Sequence, residues 1–426
     1  MRSFLAAIWA VFGRFVVLLR LGAPPRLTLR VARWLTRFGL REFALQYATL
    51  DAIAIGVLVL TGAIDSTAGK AVAAILGLVI VYELRLAWAA HRSAAAVAEE
   101  LADFPYAPEE TRFPRSHLVF PFLMLFARGV KHERGVAYHA EPGRRVRLDI
   151  YRPAGAAADG EQRPAAIQVH GGGWIFGSRL EQGIPLLNHL AANGWVGFNI
   201  DYRLSPRATF PEHVIDVKRA IAWVRGHADE LGVDPERIAL TGGSAGGHLV
   251  AHAALTANDP TYQPGFEDAD TSVAAAVPFY GLYDWLDPEH RLYPGVRDWL
   301  FEEMVLKRTR EDDPEAYRDA SPPYLVHPGA PPFLIFHGEH DTLVPVADGR
   351  EFARRLEAVS QSPVRYVELP GAEHAFDIFP SLRTARVVEG IERFLRATVP
   401  AAPEAEAPAT REGAIPPGRD AELSPR

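Results

Sequence analysis

The chain has 426 residues, 48% of them hydrophobic and 23% charged, with 35 Gly, 34 Pro and no Cys. That composition supports a substantial core and excludes a wholly disordered or collagen-like chain, while the missing cysteines exclude disulfides, thiolate metal sites, a cysteine nucleophile and a lipidated cysteine anchor. A formal charge of −7 with a pI near 6.1 argues against nucleic acid as a partner, and only four of the 45 basic residues are lysine, which reads as coding bias.

The first hundred residues differ from the rest. Residues 4–21 are almost continuously apolar, broken by Gly13, Arg14 and Arg20. With no small-residue cleavage site before a polar start, they read as a third span or an interfacial helix rather than a signal sequence. Next come Arg26, Arg30, Arg33, Arg37 and Arg41, which fall on one face of a helix, with Leu27, Val31, Trp34, Leu35 and Phe38 on the other. This pattern predicts a basic helix on an anionic membrane surface; the alternative is a solvated arginine face on a packed helix.

Residues 43–64 and 71–90 are two further apolar runs, long enough to form a membrane hairpin that turns at 65–70. Asp51 and Arg85 speak for the alternative, a pair of buried core helices. Arginine precedes the hairpin at 26–41 and closes it at Arg85 and Arg92. Both flanks therefore favour the cytoplasmic side of an inner or plasma membrane, and so does the domain that follows. Residues 1–100 are thus expected to form a membrane-associated region and 101–133 connecting or cap helices.

Residues 134–398 alternate strand and helix signals. Strands are expected at 145–151, 165–169, 196–200, 238–240, 273–277, 333–336 and 364–369, with helices at 184–192, 213–231, 247–256, 349–358 and 382–396. Short apolar strands interleaved with helices predict an α/β fold, a mostly parallel sheet covered on both faces. Residues 282–326, rich in Trp, Tyr, Pro and charge, break the alternation and read as an insertion above the sheet. Residues 399–426, rich in Pro, Ala and Glu, are expected to be a disordered tail.

Chemistry gathers at the strand ends. Gly242-Gly243-Ser244-Ala245-Gly246-Gly247 follows a strand and opens a helix, the setting in which a tight turn exposes a nucleophilic hydroxyl. His170-Gly171-Gly172-Gly173-Trp174 follows an earlier strand, and consecutive glycines let backbone N–H groups converge on one oxygen. His374 precedes the last helix and Asp341 follows the preceding strand, which gives the chain order serine, acid, histidine of α/β-hydrolases. Asp284 and Glu339 are rival orienters, and His337 and His340 read as structural. His248 and His252 have a metal-ligand spacing on the helix after the serine, but without a third ligand they read as packing, so no metal or cofactor is expected.

Together with Asp201-Tyr202-Arg203-Leu204-Ser205-Pro206, these motifs make residues 134–398 resemble the hormone-sensitive-lipase-like esterase branch of the α/β-hydrolases. The resemblance implies cofactor-free hydrolysis of carboxylic esters by Ser244, Asp341 and His374, with the N–H groups of Gly172, Gly173 and Ala245 as oxyanion hole. It also implies a helical cap, for which residues 113–128 are the candidate. Gly243 stands where the branch usually has Asp, and Arg207 where it usually has an acidic residue. Trp174, Phe176, Tyr202 and Phe376 are candidates to line the pocket, with core packing as their alternative. The expected partners are a small-molecule or lipid ester and a membrane. An acyltransferase, amidase or peptidase on the same triad remains open, as does a non-catalytic binding protein.

Overall fold

The computed structural model describes residues 21–105, 112–141, 144–155 and 162–399. Apart from Leu21 and Val399, the apolar run 4–21 and the tail 399–426 lie outside the described residues. Among the described residues, eight strands form one sheet: β1 (Val130–Glu141), β2 (Arg144–Pro153), β3 (Arg163–Val169), β4 (Val196–Ile200), β5 (Val233–Gly243), β6 (Ala275–Phe279), β7 (Phe333–Gly338) and β8 (Val364–Leu369). Their order is β1-β2-β4-β3-β5-β6-β7-β8; β1 pairs antiparallel with β2 and β2 with β4, and the rest are parallel. β3 and β4 are apolar and buried along most of their length, because helices cover both faces of the sheet.

In chain order the helices are α1 (Pro25–Glu42), α2 (Ala44–Leu60), α3 (Thr67–Glu100), α4 (Arg115–Val119), α5 (Ile184–Ala192), α6 (Glu212–Gly226), α7 (Ala228–Leu231), α8 (Ala245–Leu255), α9 (Pro314–Asp319), α10 (Val346–Glu357) and α11 (Leu382–Thr398). Side chains of α6, α8 and α10 share one core with Ile167 and Val169 of β3, while those of α5 and α11 share the opposite one with Ala166. A π-helical segment, Val296–Val305, lies in the insertion.

The N-terminal helices join this second face. Trp34 and Phe38 of α1 are buried there, as are Val97 at the end of α3 and Leu101 beyond it. Glu42 closes α1 in a buried ion pair with Arg383 of α11, supported by a 2.8 Å bond from the Ser381 hydroxyl and by Arg383 Nε donating to Ser93 of α3 at 3.1 Å. The expected membrane-surface helix is therefore corrected to a packed one whose apolar face is taken up by the protein. The solvated arginine face of the alternative is corrected too, since Arg30, Arg37 and Arg41 reach Thr342, Glu373 and Gly371.

The hairpin runs differ from this. α2 and α3 pack together across a turn at 61–66, a few residues earlier than expected, where the Ser66 hydroxyl caps α3 by accepting from Gly69 N–H at 3.0 Å. Leu50, Ile53, Val57 and Leu60 of α2, and Ile75, Leu78, Val81 and Trp88 of α3, are each more than half exposed. α3 is long and apolar enough to cross a membrane by itself; α1 and α2 reach that length only as a pair bent by 69°. Phe43 marks the bend, its ring against Phe38 at 6.3 Å and Phe379 at 5.4 Å.

Candidate active site

β5 ends at Gly243 and α8 begins at Ala245, so Ser244 takes the whole reversal of chain direction. It holds φ 57° and ψ −122°, a left-handed conformation that costs a non-glycine residue on the order of 1–3 kcal/mol. Two backbone bonds hold it: Ser244 N–H to the Phe279 carbonyl at 2.9 Å, and His248 N–H to the Ser244 carbonyl at 3.0 Å. Gly243 is accounted for by its neighbour, since a Cβ there would lie 2.7 Å from the Tyr280 hydroxyl, which donates to Asp377. Tyrosine thus fills the space in which a side chain before the serine would stand.

The loop after β3 folds back on itself, with the Gly172 carbonyl accepting from Ile175 and Phe176 N–H at 3.1 Å each. Gly172 has φ 127°, and a Cβ there would lie 2.0 Å from the Phe176 carbonyl oxygen, so only glycine closes this loop. Gln182 steadies it by accepting Gly171 N–H at 2.7 Å. Gly172, Gly173 and Ser244 face one cavity. Ala245, the first residue of α8, has an N–H that helix geometry leaves without an intrahelical acceptor.

Asp341 lies in the loop after β7 and His374 in the loop after β8. His374 Nδ1 is 2.6 Å from Asp341 Oδ2, while Asp341 Oδ1 accepts Leu343 N–H at 2.8 Å and Val344 N–H at 2.7 Å. Burial alone would raise the Asp341 carboxyl; the charges and hydrogen bonds of His374 and His337 outweigh it and hold the group far below the usual carboxylate range. The rivals are engaged elsewhere: Asp284 accepts Asp287 N–H at 3.2 Å, and Glu339 accepts Gly371 N–H at 2.8 Å. His337 is buried 3.4 Å from Asp341, whereas His340 is half exposed beside Glu339. His248 and His252 donate Nε2–H to the carbonyls of Ala320 and Asp319 at 2.6 and 2.9 Å, and Trp285 stacks on His248.

Ser244 and His374 open onto a cavity with mostly apolar walls. Trp174 and Phe176 line it as expected; Tyr202 and Phe376 do not. Tyr202 stacks on His170 at 4.3 Å and donates to its carbonyl, behind the glycine loop, and Phe376 is fully buried against Phe279 and Tyr280. The other walls include Leu27, Val31 and Trp34 of α1 and Val296, Trp299 and Leu300 of the insertion, segments expected elsewhere than at the pocket, together with Tyr280 and Ile378. The expected cap at 113–128 is corrected as well. Phe113 and Met124 pack on the second face of the sheet domain, and Met124 accepts from Asn188 of α5 at 2.7 Å, away from the cavity. The apolar stripe of α1 was the signal for the true roof, since such a stripe must be covered by something.

The BD-FAE family profile matches residues 148–356. Among curated proteins the chain is 48% identical over 268 residues to the probable carboxylic ester hydrolase LipM of Mycobacterium tuberculosis, spanning 63% of this chain and 62% of LipM. It is 46% identical over 265 residues to esterase LipC of the same organism, spanning 62% of this chain and 64% of LipC. The match thus covers less than two thirds of the length of these relatives. Among solved structures, butyrate-bound esterase 2 of Thermogutta terrifontis superposes with a TM-score of 0.53 at 30% identity, over 63% of this chain and 94% of that one. The same esterase phosphonylated by sarin gives 0.53 at 31% identity, over 63% and 95%.

Proposed function

Because the chain belongs to the α/β-hydrolase superfamily, in its hormone-sensitive-lipase-like esterase branch, we propose that it is a serine hydrolase of lipophilic carboxylic esters working through an acyl-enzyme. The observation that carries this reading is the 2.6 Å Asp341–His374 pair, opening onto the same apolar cavity as Ser244 and the glycine loop.

The reaction follows from these groups. His374 takes the Ser244 proton as the hydroxyl attacks the ester carbonyl, and Asp341 orients the ring and stabilises the imidazolium. The N–H groups of Gly172, Gly173 and Ala245 receive the oxyanion, and losing one such donor typically costs about 10²–10³ in rate. His374 then protonates the leaving alcohol, and water repeats the sequence on the acyl-enzyme. The walls formed by Leu27, Val31, Trp299 and Leu300 favour an apolar substituent over a charged one.

The test is covalent labelling with a fluorophosphonate, chosen because a relative is phosphonylated by sarin. The intact protein should be labelled and should hydrolyse short acyl esters, and Ser244→Ala should lose both. Ester hydrolysis by Ser244→Ala near the wild-type rate would refute the assignment.

The reading extends to location. The exposed apolar side chains of α2 and α3 support a hairpin inserted in a membrane, and Arg85 and Arg92 in the second half of α3 support a cytoplasmic catalytic domain.

A further inference from the structure

Glu373 has no place in the reaction above, yet it is fully buried and touches both catalytic loops. Its Oε2 accepts the N–H and the hydroxyl of Thr342, each at 3.0 Å, and the N–H of His374 at 3.3 Å. Thr342 follows Asp341, so one carboxylate oxygen ties the loop that carries the acid to the loop that carries the base. The other oxygen, Oε1, lies 2.9 Å from Arg37 Nε on α1. Two more contacts from α1 close the same junction: Arg30 donates to the Thr342 carbonyl at 3.2 Å, and Trp34 Nε1 to the His374 carbonyl at 2.8 Å.

A carboxylate buried without a counter-charge is strongly unfavourable; here three donors satisfy Oε2, and Oε1 has the Arg37 charge beside it as an ion pair without an aligned hydrogen bond. The dyad it spans is tight, at 2.6 Å, so a slip of one loop against the other breaks it. Misplacing catalytic groups by about 1 Å costs about 10²-fold in rate.

We propose that Glu373, held by Arg37, is a positioning residue for Asp341 and His374, which makes the arginine helix part of the catalytic apparatus as well as its roof. The proposal rests on the esterase reading above.

The test compares the full-length wild type with Arg37→Met, Arg37→Lys, Glu373→Gln and the double variant Arg37→Met/Glu373→Gln on p-nitrophenyl butyrate. End-point fluorophosphonate titration counts competent serines, so that kcat is expressed per titrated site. Arg37→Met should lose about 10- to 100-fold in kcat with little change in KM, and Arg37→Lys should recover most of it. The double variant should lose less than the product of the two single losses, because removing the carboxylate charge removes the need for Arg37.

A role in folding alone would lower the titrated fraction and leave kcat per titrated serine unchanged. That result would overturn the proposal, and so would multiplicative losses in the double variant. If Arg37→Met does not fold, Arg37→Lys and Glu373→Gln carry the same comparison, and unchanged kcat per site in both would overturn it. A folded wild type that is neither titrated nor active on any ester would refute the esterase reading, and this proposal with it.

Discussion

Asp341 and Asp348 are both buried, and their surroundings push them in opposite directions. Asp341 is held low by His374 and His337 against the effect of burial, so its share of stability is present above the unfolded carboxylate value of about 4 and is lost as pH falls toward its folded value. Asp348, on α10, accepts N–H bonds from Tyr283 and Asp284, yet burial pushes it up to about 7. Between about pH 4 and 7 the folded chain therefore holds a proton at Asp348 that the unfolded chain has released, and stability falls as pH rises across that window. Asp348→Asn should flatten this slope, which runs to roughly 1.4 kcal/mol per pH unit inside the window. Denaturant unfolding at pH 5 and pH 8 checks it. At this scale the strained turn at Ser244 and the pairing of Asp341 with His374 were legible, because turn glycines and chain order mark them. Tyr202, inside a motif, and Phe376, two residues after His374, misled because their direction depends on loop geometry: both turn inward.

At the scale of elements, the strands expected at 196–200 and 364–369 match β4 and β8, the first a buried run between turn residues and the second a strand in which Arg365 and Glu368 interrupt the apolar residues. β1 went unread. It carries Lys131, His132, Glu133 and Arg134 in a row and two register irregularities against β2, so no clean alternation survives in its sequence. α1 was seen as an amphipathic helix, but what covers its apolar face is a tertiary matter that no periodicity states. Trp34 tests that packing. Its ring is 6% exposed, at the junction of roof, cavity and His374 loop. Trp34→Ala should cost roughly 3–5 kcal/mol in unfolding free energy, measured by denaturant titration. Trp34→Phe should cost less, because it keeps one aromatic ring and leaves a smaller cavity, while still losing the hydrogen bond to the His374 carbonyl.

At the scale of the whole molecule, the described residues present one face unlike the others, the outward side of α2 and α3. Replacing Ile53, Ile75 and Leu78 by Lys leaves the sheet domain untouched, since all three side chains are more than half exposed. If the hairpin sits in a bilayer, each charge near its centre costs about 2.5–3.5 kcal/mol on insertion scales. The triple variant should then leave the carbonate-washed membrane fraction for the supernatant with its fluorophosphonate labelling intact. Wild type in the supernatant would refute the membrane reading.

The ion pair between Glu42 and Arg383 joins residues 341 positions apart, and Thr342 and His374 likewise meet α1 from the far end of the chain. During synthesis at about 5–20 residues per second, α1 leaves the ribosome on the order of 20–70 s before its partners exist. Through that interval its apolar stripe and Glu42 lack their partners from the sheet domain and have only α2 and α3 from the protein itself against them. The roof is made first and seated last, so a stalled or shortened chain carries the nucleophile's turn but never an enclosed active site.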